Sequence, residues 1–207
     1  MANFCYSRIT FEGNGEEIRE LHECIKKKWA VNVVENRYGI YWLGNMVGNA
    51  GLDWENISCR GYIEEISDVE VNDDGSVYFE ITTETAWYVM VDMWYEIFKK
   101  IGFKTISLFY ITEEFGCDIF ETNDLEKKYY SDKYYVDYLI GSYAATEYLD
   151  DDKDLLNLLN KILDTNFEVE KTVIDDTFIG ECIELFFDKY DENSDAFSLH
   201  KIRYIEK

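Results

Sequence analysis

Residues 72–102 read NDDGSVYFEITTETAWYVMVDMWYEIFKKIG, and this stretch decides the fold class. Asn72-Asp73-Asp74-Gly75 ends in an Asp-Gly pair that supplies the positive φ angles of a tight hairpin. It predicts that strands over Ile57 to Val71 and Ser76 to Thr83 pair with each other. Immediately after it, Ala86 to Ile101 carries Val89, Met90, Met93, Trp94, Ile97, Phe98 and Ile101 at helical spacing. Gly102 stands where a helix wants a left-handed C-cap. A hairpin feeding an amphipathic helix requires a sheet for that helix to cover.

Toward the N-terminus, Phe4, Tyr6, Ile9 and Phe11 mark a strand that ends at Gly13-Asn14-Gly15. Glu16 to Trp29 then places Ile18, Leu21, His22, Ile25 and Trp29 at spacings of three and four. Acidic residues occupy its first turns and Lys26-Lys27-Lys28 its last, the charge order that the helix dipole favours. Val31 to Asn56, rich in Gly and Asn around Tyr41, Trp42 and Trp54, reads as a long loop with one short strand. Beyond the second helix, Thr105 to Ile111 and Cys117 to Phe120 read as strands. The order strand, helix, hairpin, helix, strand predicts an α+β body with two helices on one face of a sheet.

The rest of the chain differs in texture. Tyr129, Tyr130, Tyr134, Tyr135, Tyr138, Tyr143 and Tyr148 crowd one segment. Next, Asp150-Asp151-Asp152 caps a helix faced by Leu155, Leu156, Leu158, Leu159, Ile162 and Leu163. A further helix runs from about Asp176 to Tyr190, with Phe178, Ile179, Cys182, Ile183, Phe186 and Phe187 expected inward. Leu199 to Ile205 closes the chain as a strand. The expected organisation is a domain over residues 1–125 and an acidic, tyrosine-rich helical extension over 126–207 packed on it.

Composition narrows the function. Forty-seven per cent hydrophobic and 17% aromatic residues place the 207-residue chain among folding sequences, despite its charge. Twenty Lys and Arg against 43 Asp and Glu leave −23, which excludes an ordinary nucleic-acid binder, whose affinity comes from cations at phosphates. It argues equally against an anionic membrane surface. No apolar run reaches about 18 residues and no signal peptide opens the chain, so a cytoplasmic location is expected. Five cysteines without any CxxC read as free thiols, in keeping with that compartment.

The chain carries few motifs of recognisable chemistry. A phosphate-cradling GxxxxGK[ST] loop, GxGxxG, GxSxG and HExxH are all missing, and His22 and His200 are the only histidines. No enzyme and no cofactor are expected. Asp191-Glu192-Asn193-Ser194-Asp195 offers oxygen ligands at the first, third and fifth positions of an EF-hand loop. Ala196 where glycine must turn, and Ile202 where a bidentate glutamate belongs, count against that site, and no metal is expected. The tyrosines read as packing residues, because base-stacking platforms work beside cationic grooves and this region is anionic.

Charge is unevenly distributed. Residues 1–63 hold eight acidic and seven basic residues, so nearly all of the −23 lies beyond them. Acidic helices can simply solvate a surface. Carboxylates on a rigid fold can also imitate phosphates and enter the basic groove of a nucleic-acid-binding protein. The candidate partner-binding residues are Asp150, Asp151, Asp152, Asp154, Glu181, Glu184, Asp188, Asp191 and Glu192. Helical spacing puts Glu181, Glu184 and Asp188 on one flank.

Three motifs carry a resemblance. They are Met1-Ala2-Asn3-Phe4-Cys5 followed by Arg8 and Gly13, Ile81 to Trp87 with its Thr-Ala-Trp, and Tyr110 to Gly116. Over about the first 120 residues the chain resembles the YubB ferredoxin-like domain family of plasmid and phage proteins. It departs from that pattern at Ser7, at Cys59 to Tyr62 and at Tyr88-Val89. The resemblance implies a ferredoxin-like antiparallel sheet and a mobile-element origin. With the charge, it leads to the expectation of a nucleic-acid mimic that inhibits a host defence or nucleic-acid-processing protein, such as a CRISPR effector. The partner would be a basic host protein rather than nucleic acid or membrane. The alternative is a small carboxylate-dependent enzyme or metal-binding regulator.

Overall fold

The computed structural model describes residues 4–32 and 38–206. Met1-Ala2-Asn3 of the N-terminal motif and residues 33–37 of the expected long loop lie outside the described residues. The chain is a mixed α+β protein with two β-sheets, and it divides into two units: Met1–Tyr129 with Tyr204–Lys207, and Tyr130–Arg203.

In the first unit the chain runs through β1 (Phe4–Gly13), α1 (Gly15–Glu23), α2 (Leu43–Asn49), β2 (Gly61–Ile66), β3 (Glu70–Val71), β4 (Val77–Ala86), α3 (Val91–Ile101), β5 (Ser107–Glu114) and β6 (Ile119–Thr122). The sheet order is β6-β5-β1-β4-β2 with every pairing antiparallel, and β3 pairs the start of β4. Strand periodicity sorts most of β1: Cys5, Ser7, Ile9 and Phe11 are buried while Phe4, Tyr6 and Arg8 are exposed, and only Thr10 on the latter face is buried as well. Phe11 lies 5.0 Å from Trp94 and 5.9 Å from Phe98 of α3, and His22 lies 5.1 Å from Phe79, so both predicted helices cover one sheet face. Asn14 caps α1 by accepting from the amides of Glu16 and Glu17. Gly102 ends α3 at φ +96°, the left-handed cap expected of it.

The second unit holds β7 (Tyr134–Ile140), β8 (Tyr143–Leu149), α4 (Asp152–Leu163), α5 (Asp176–Lys189) and β9 (Ala196–Lys201), with sheet order β8-β7-β9. Its core joins Tyr134, Val136 and Tyr138 of β7 to Leu155, Leu159, Phe178, Cys182 and Phe186 of the helices. The last strand, β10 (Arg203–Tyr204), lies beside β6 in the first sheet.

Four expectations are corrected. The extension is not helical alone, because Tyr134, Val136 and Tyr138 bury every second residue and make a strand, and Gly141 at φ +60° turns it into a hairpin. The glycine- and asparagine-rich loop contains α2. There Leu43, Met46, Val47 and Ala50 face the core, while Asn45 and Asn49 donate side-chain amide hydrogens to the carbonyls of Gly39, Ile40, Trp29 and Val31. The helix expected from Ala86 begins at Val91, since Ala86 still pairs with Phe4 and Trp87 takes φ +80°. Ile57 to Val71 is two strands: β2 carries a bulge between Ile63 and Glu65, and the break from β3 falls at residues 67–69, where the Ser67 hydroxyl accepts the Glu80 amide.

Candidate functional site

The acidic helices of the second unit carry the candidate residues. Residues 130–203 contain 18 acidic and seven basic residues. The fold sorts these acids into two sets by what their carboxylates already hold.

Asp151, Asp152 and Asp191 are committed to local structure. Asp151 is the N-cap of α4 and accepts from the amide of Asp154 at 2.8 Å. Asp152 accepts from Lys133 Nζ and, at 2.8 Å, from the hydroxyl of Tyr134, tying the helix start to β7. Lys133 first, and then Tyr134, hold its carboxyl below the usual carboxylate range, against the opposing effect of partial burial. Asp191 accepts from the backbone and side-chain amides of Asn193 at 3.0 Å each, and these bonds lower its pKa. Asp195 accepts from the amides of Gly141 and Asp191, so the segment with EF-hand spacing is a turn held by its own amides. Among the described residues no group of three or more His, Cys, Asp or Glu side chains could hold a metal ion.

Asp150, Asp154, Glu181, Glu184, Asp188 and Glu192 are exposed and make no ion pair among the described residues. Four of the lysines in residues 130–203 are engaged elsewhere. Lys133 pairs with Asp152, Lys171 with Glu168, Lys189 donates to the carbonyl of Ile162 and Lys201 to that of Ile174. Glu181, Glu184 and Asp188 follow one another on the outer face of α5, separated by about 4.5 and 6 Å of helix rise. The inner face carries Phe178, Cys182 and Phe186. Burial pushes the Cys182 thiol up to about 12, which leaves it a packing group.

Two residues depart from the sequence expectation here. Phe187, expected inward, is 37% exposed, and Leu185, which no expectation singled out, is 40% exposed between Glu184 and Asp188. Helical spacing gave no signal for Leu185, which lies seven residues from Phe178 and three from Cys182 and so shares their side of the helix by periodicity. Of the tyrosines, Tyr130, Tyr134 and Tyr138 are buried, while Tyr143 and Tyr148 are exposed and pair across the hairpin with Tyr138 and Tyr135.

The Lys133–Asp152 contact has a measurable pH signature. A depressed carboxylate pKa stabilises the folded state above the ordinary value of 3.8, and that contribution disappears as pH falls through the lower folded-state value. Lys133→Met is expected to move the Asp152 midpoint upward, read by NMR of its side-chain carboxyl carbon. An unmoved midpoint would show that the lysine is not what holds it.

The chain matches no family model, no curated protein and no solved structure. Among the described residues no helix is long and apolar enough to cross a membrane.

Proposed function

We propose that this chain is a non-enzymatic, cytoplasmic protein of a plasmid or phage, related to the YubB domain family, that acts as a nucleic-acid mimic. It occupies the basic groove of a host defence or nucleic-acid-processing protein, of which a CRISPR effector is one example. The first unit is assigned a ferredoxin-like fold, supported by the antiparallel order β5-β1-β4-β2 with α1 and α3 as the crossing helices. The observation that carries the functional reading is the set of exposed carboxylates on and beside α4 and α5 that face solvent without cationic partners. Such charges contribute little to stability, yet they attract a basic surface over long range and raise the encounter rate.

The experiment measures binding of the labelled chain to a purified DNA-cleaving CRISPR effector across a salt series, with target DNA as competitor. Displacement by DNA is expected, with an affinity that falls steeply between about 50 and 200 mM salt, as for phosphate contacts. Association that ignores salt, or simultaneous binding of DNA and this chain, would remove the mimicry.

A further inference from the structure

The first unit contains an open cleft that the acidic surface does not involve. Trp42, Trp54, Arg60, Trp87, Tyr88 and Met90 line it. Three of the chain's five tryptophans therefore converge on one place. Trp42 and Trp54 pack edge to face at 5.4 Å, which fixes both rings. Trp87 and Tyr88 are each 49% exposed.

Two features separate this cleft from incidental apolar surface. Trp87 stands at φ +80°, a region that a bulky side chain seldom enters and that glycine would occupy without strain. The conformation is held from both sides, by the Ala86 amide on the Arg60 carbonyl at 2.8 Å and by the Thr85 hydroxyl on the Tyr88 carbonyl at 2.8 Å. Strain maintained in this way keeps a large aromatic ring at the lip of the cleft. The second feature is Arg60, which is exposed and whose guanidinium makes no ion pair or hydrogen bond among the described residues. Of the other described arginines, Arg8, Arg19 and Arg203 each have an interaction partner.

We propose that this cleft binds a purine nucleoside monophosphate. Flat aromatic walls take a purine by stacking, the contact that every base face can make. Arg60 takes the phosphate, for which the planar guanidinium fork is suited. Asn56, Ser58 and Glu55, which also line the cleft, are the polar groups available to ribose hydroxyls and base amino groups. Charge selects a mononucleotide over a strand. The first unit carries 25 acidic against 13 basic residues, so each additional phosphate beyond the one at Arg60 meets repulsion rather than a cation. This site is independent of the proposed partner surface on the second unit.

The test titrates the full-length protein with AMP and GMP while following tryptophan fluorescence, with adenosine, inorganic phosphate and a short oligonucleotide as controls. Saturable quenching by the monophosphates is expected, with adenosine weaker by about tenfold or more because it forfeits the charge-assisted contact. Arg60→Glu is expected to bring AMP down to the level of adenosine, and Trp87→Gly to remove most of the quenching. Thermal melts keep the second variant interpretable. Because glycine tolerates a positive φ, Trp87→Gly should melt above Trp87→Ala, so lost binding is not lost folding. The proposal is overturned by the lack of saturable quenching at millimolar AMP and GMP, by equal affinity for AMP and adenosine, or by unchanged AMP affinity in Arg60→Glu. If Arg60→Glu and Trp87→Gly instead weaken binding of a protein partner while no nucleotide titrates, the cleft is a protein-docking surface and the nucleotide assignment falls.

Discussion

Phe186→Ala is expected to destabilise the second unit by about 3–5 kcal/mol, the usual cost of removing a buried phenylalanine and leaving its space unfilled. Phe186 has no exposed surface. Its ring stacks on Phe197 of β9 at 4.8 Å with an interplanar angle of 15°, and lies 4.7 Å from Tyr190 and 5.3 Å from Phe187. It thereby joins α5 to the sheet, and in a close-packed interior the surrounding side chains refill such a void only in part. A unit of this size has a total stability of only about 4–11 kcal/mol, so the loss takes a large share of it. Hydrogen exchange at the amides of Val136 and Leu199 measures the effect. Exchange as slow as in the unaltered protein would show that Phe186 does not hold the sheet to α5.

The second large effect concerns binding rather than folding. Replacing Glu181, Glu184 and Asp188 together with lysine changes the local charge by six units on one helix face. Association with the basic partner is expected to weaken by about a hundredfold or more, since each substitution both removes an attraction and adds a repulsion. The melting temperature should hold, because exposed charges without ion pairs contribute within about 0.5 kcal/mol each to stability. Asp152→Asn is the informative control. Its carboxylate is already held by Lys133 and Tyr134, so the substitution is expected to lower stability modestly and leave partner affinity nearly intact. Unchanged affinity in the triple-lysine variant would move the contact surface off α5, leaving Asp150 and Asp154 as the remaining exposed acids of the other helix.

Much of the fold is legible in the chain because the deciding interactions are local. The Asp74-Gly75 turn, the aspartate cap at Asp151 and the Gly102 stop each act within about four residues, and each is where the sequence puts it. The apolar spacing of α1, α3, α4 and α5 is local in the same sense. The second sheet was also readable in principle, from the alternation of Tyr134, Val136 and Tyr138. The crowd of tyrosines, which serve strand and helix alike, obscured it.

Three matters needed tertiary contacts. Helix α2 exists because the amides of Asn45 and Asn49 reach carbonyls as many as 20 residues away, a use of asparagine that composition reads as loop. Trp87 holds a positive φ between a local bond, Thr85 hydroxyl to Tyr88 carbonyl, and a distant one, the Ala86 amide to the carbonyl of Arg60. The acidic residues, alike on paper, became two groups once Lys133 took Asp152, Asp151 capped α4 and Asp191 closed its own turn, while Lys189 and Lys201 went to carbonyls across the fold. Sequence by itself determined the charge, the helix faces and the turn positions, since these depend on near neighbours. Which carboxylates stay unpaired depends on where each cation lands, and that is set by packing between residues far apart in the chain.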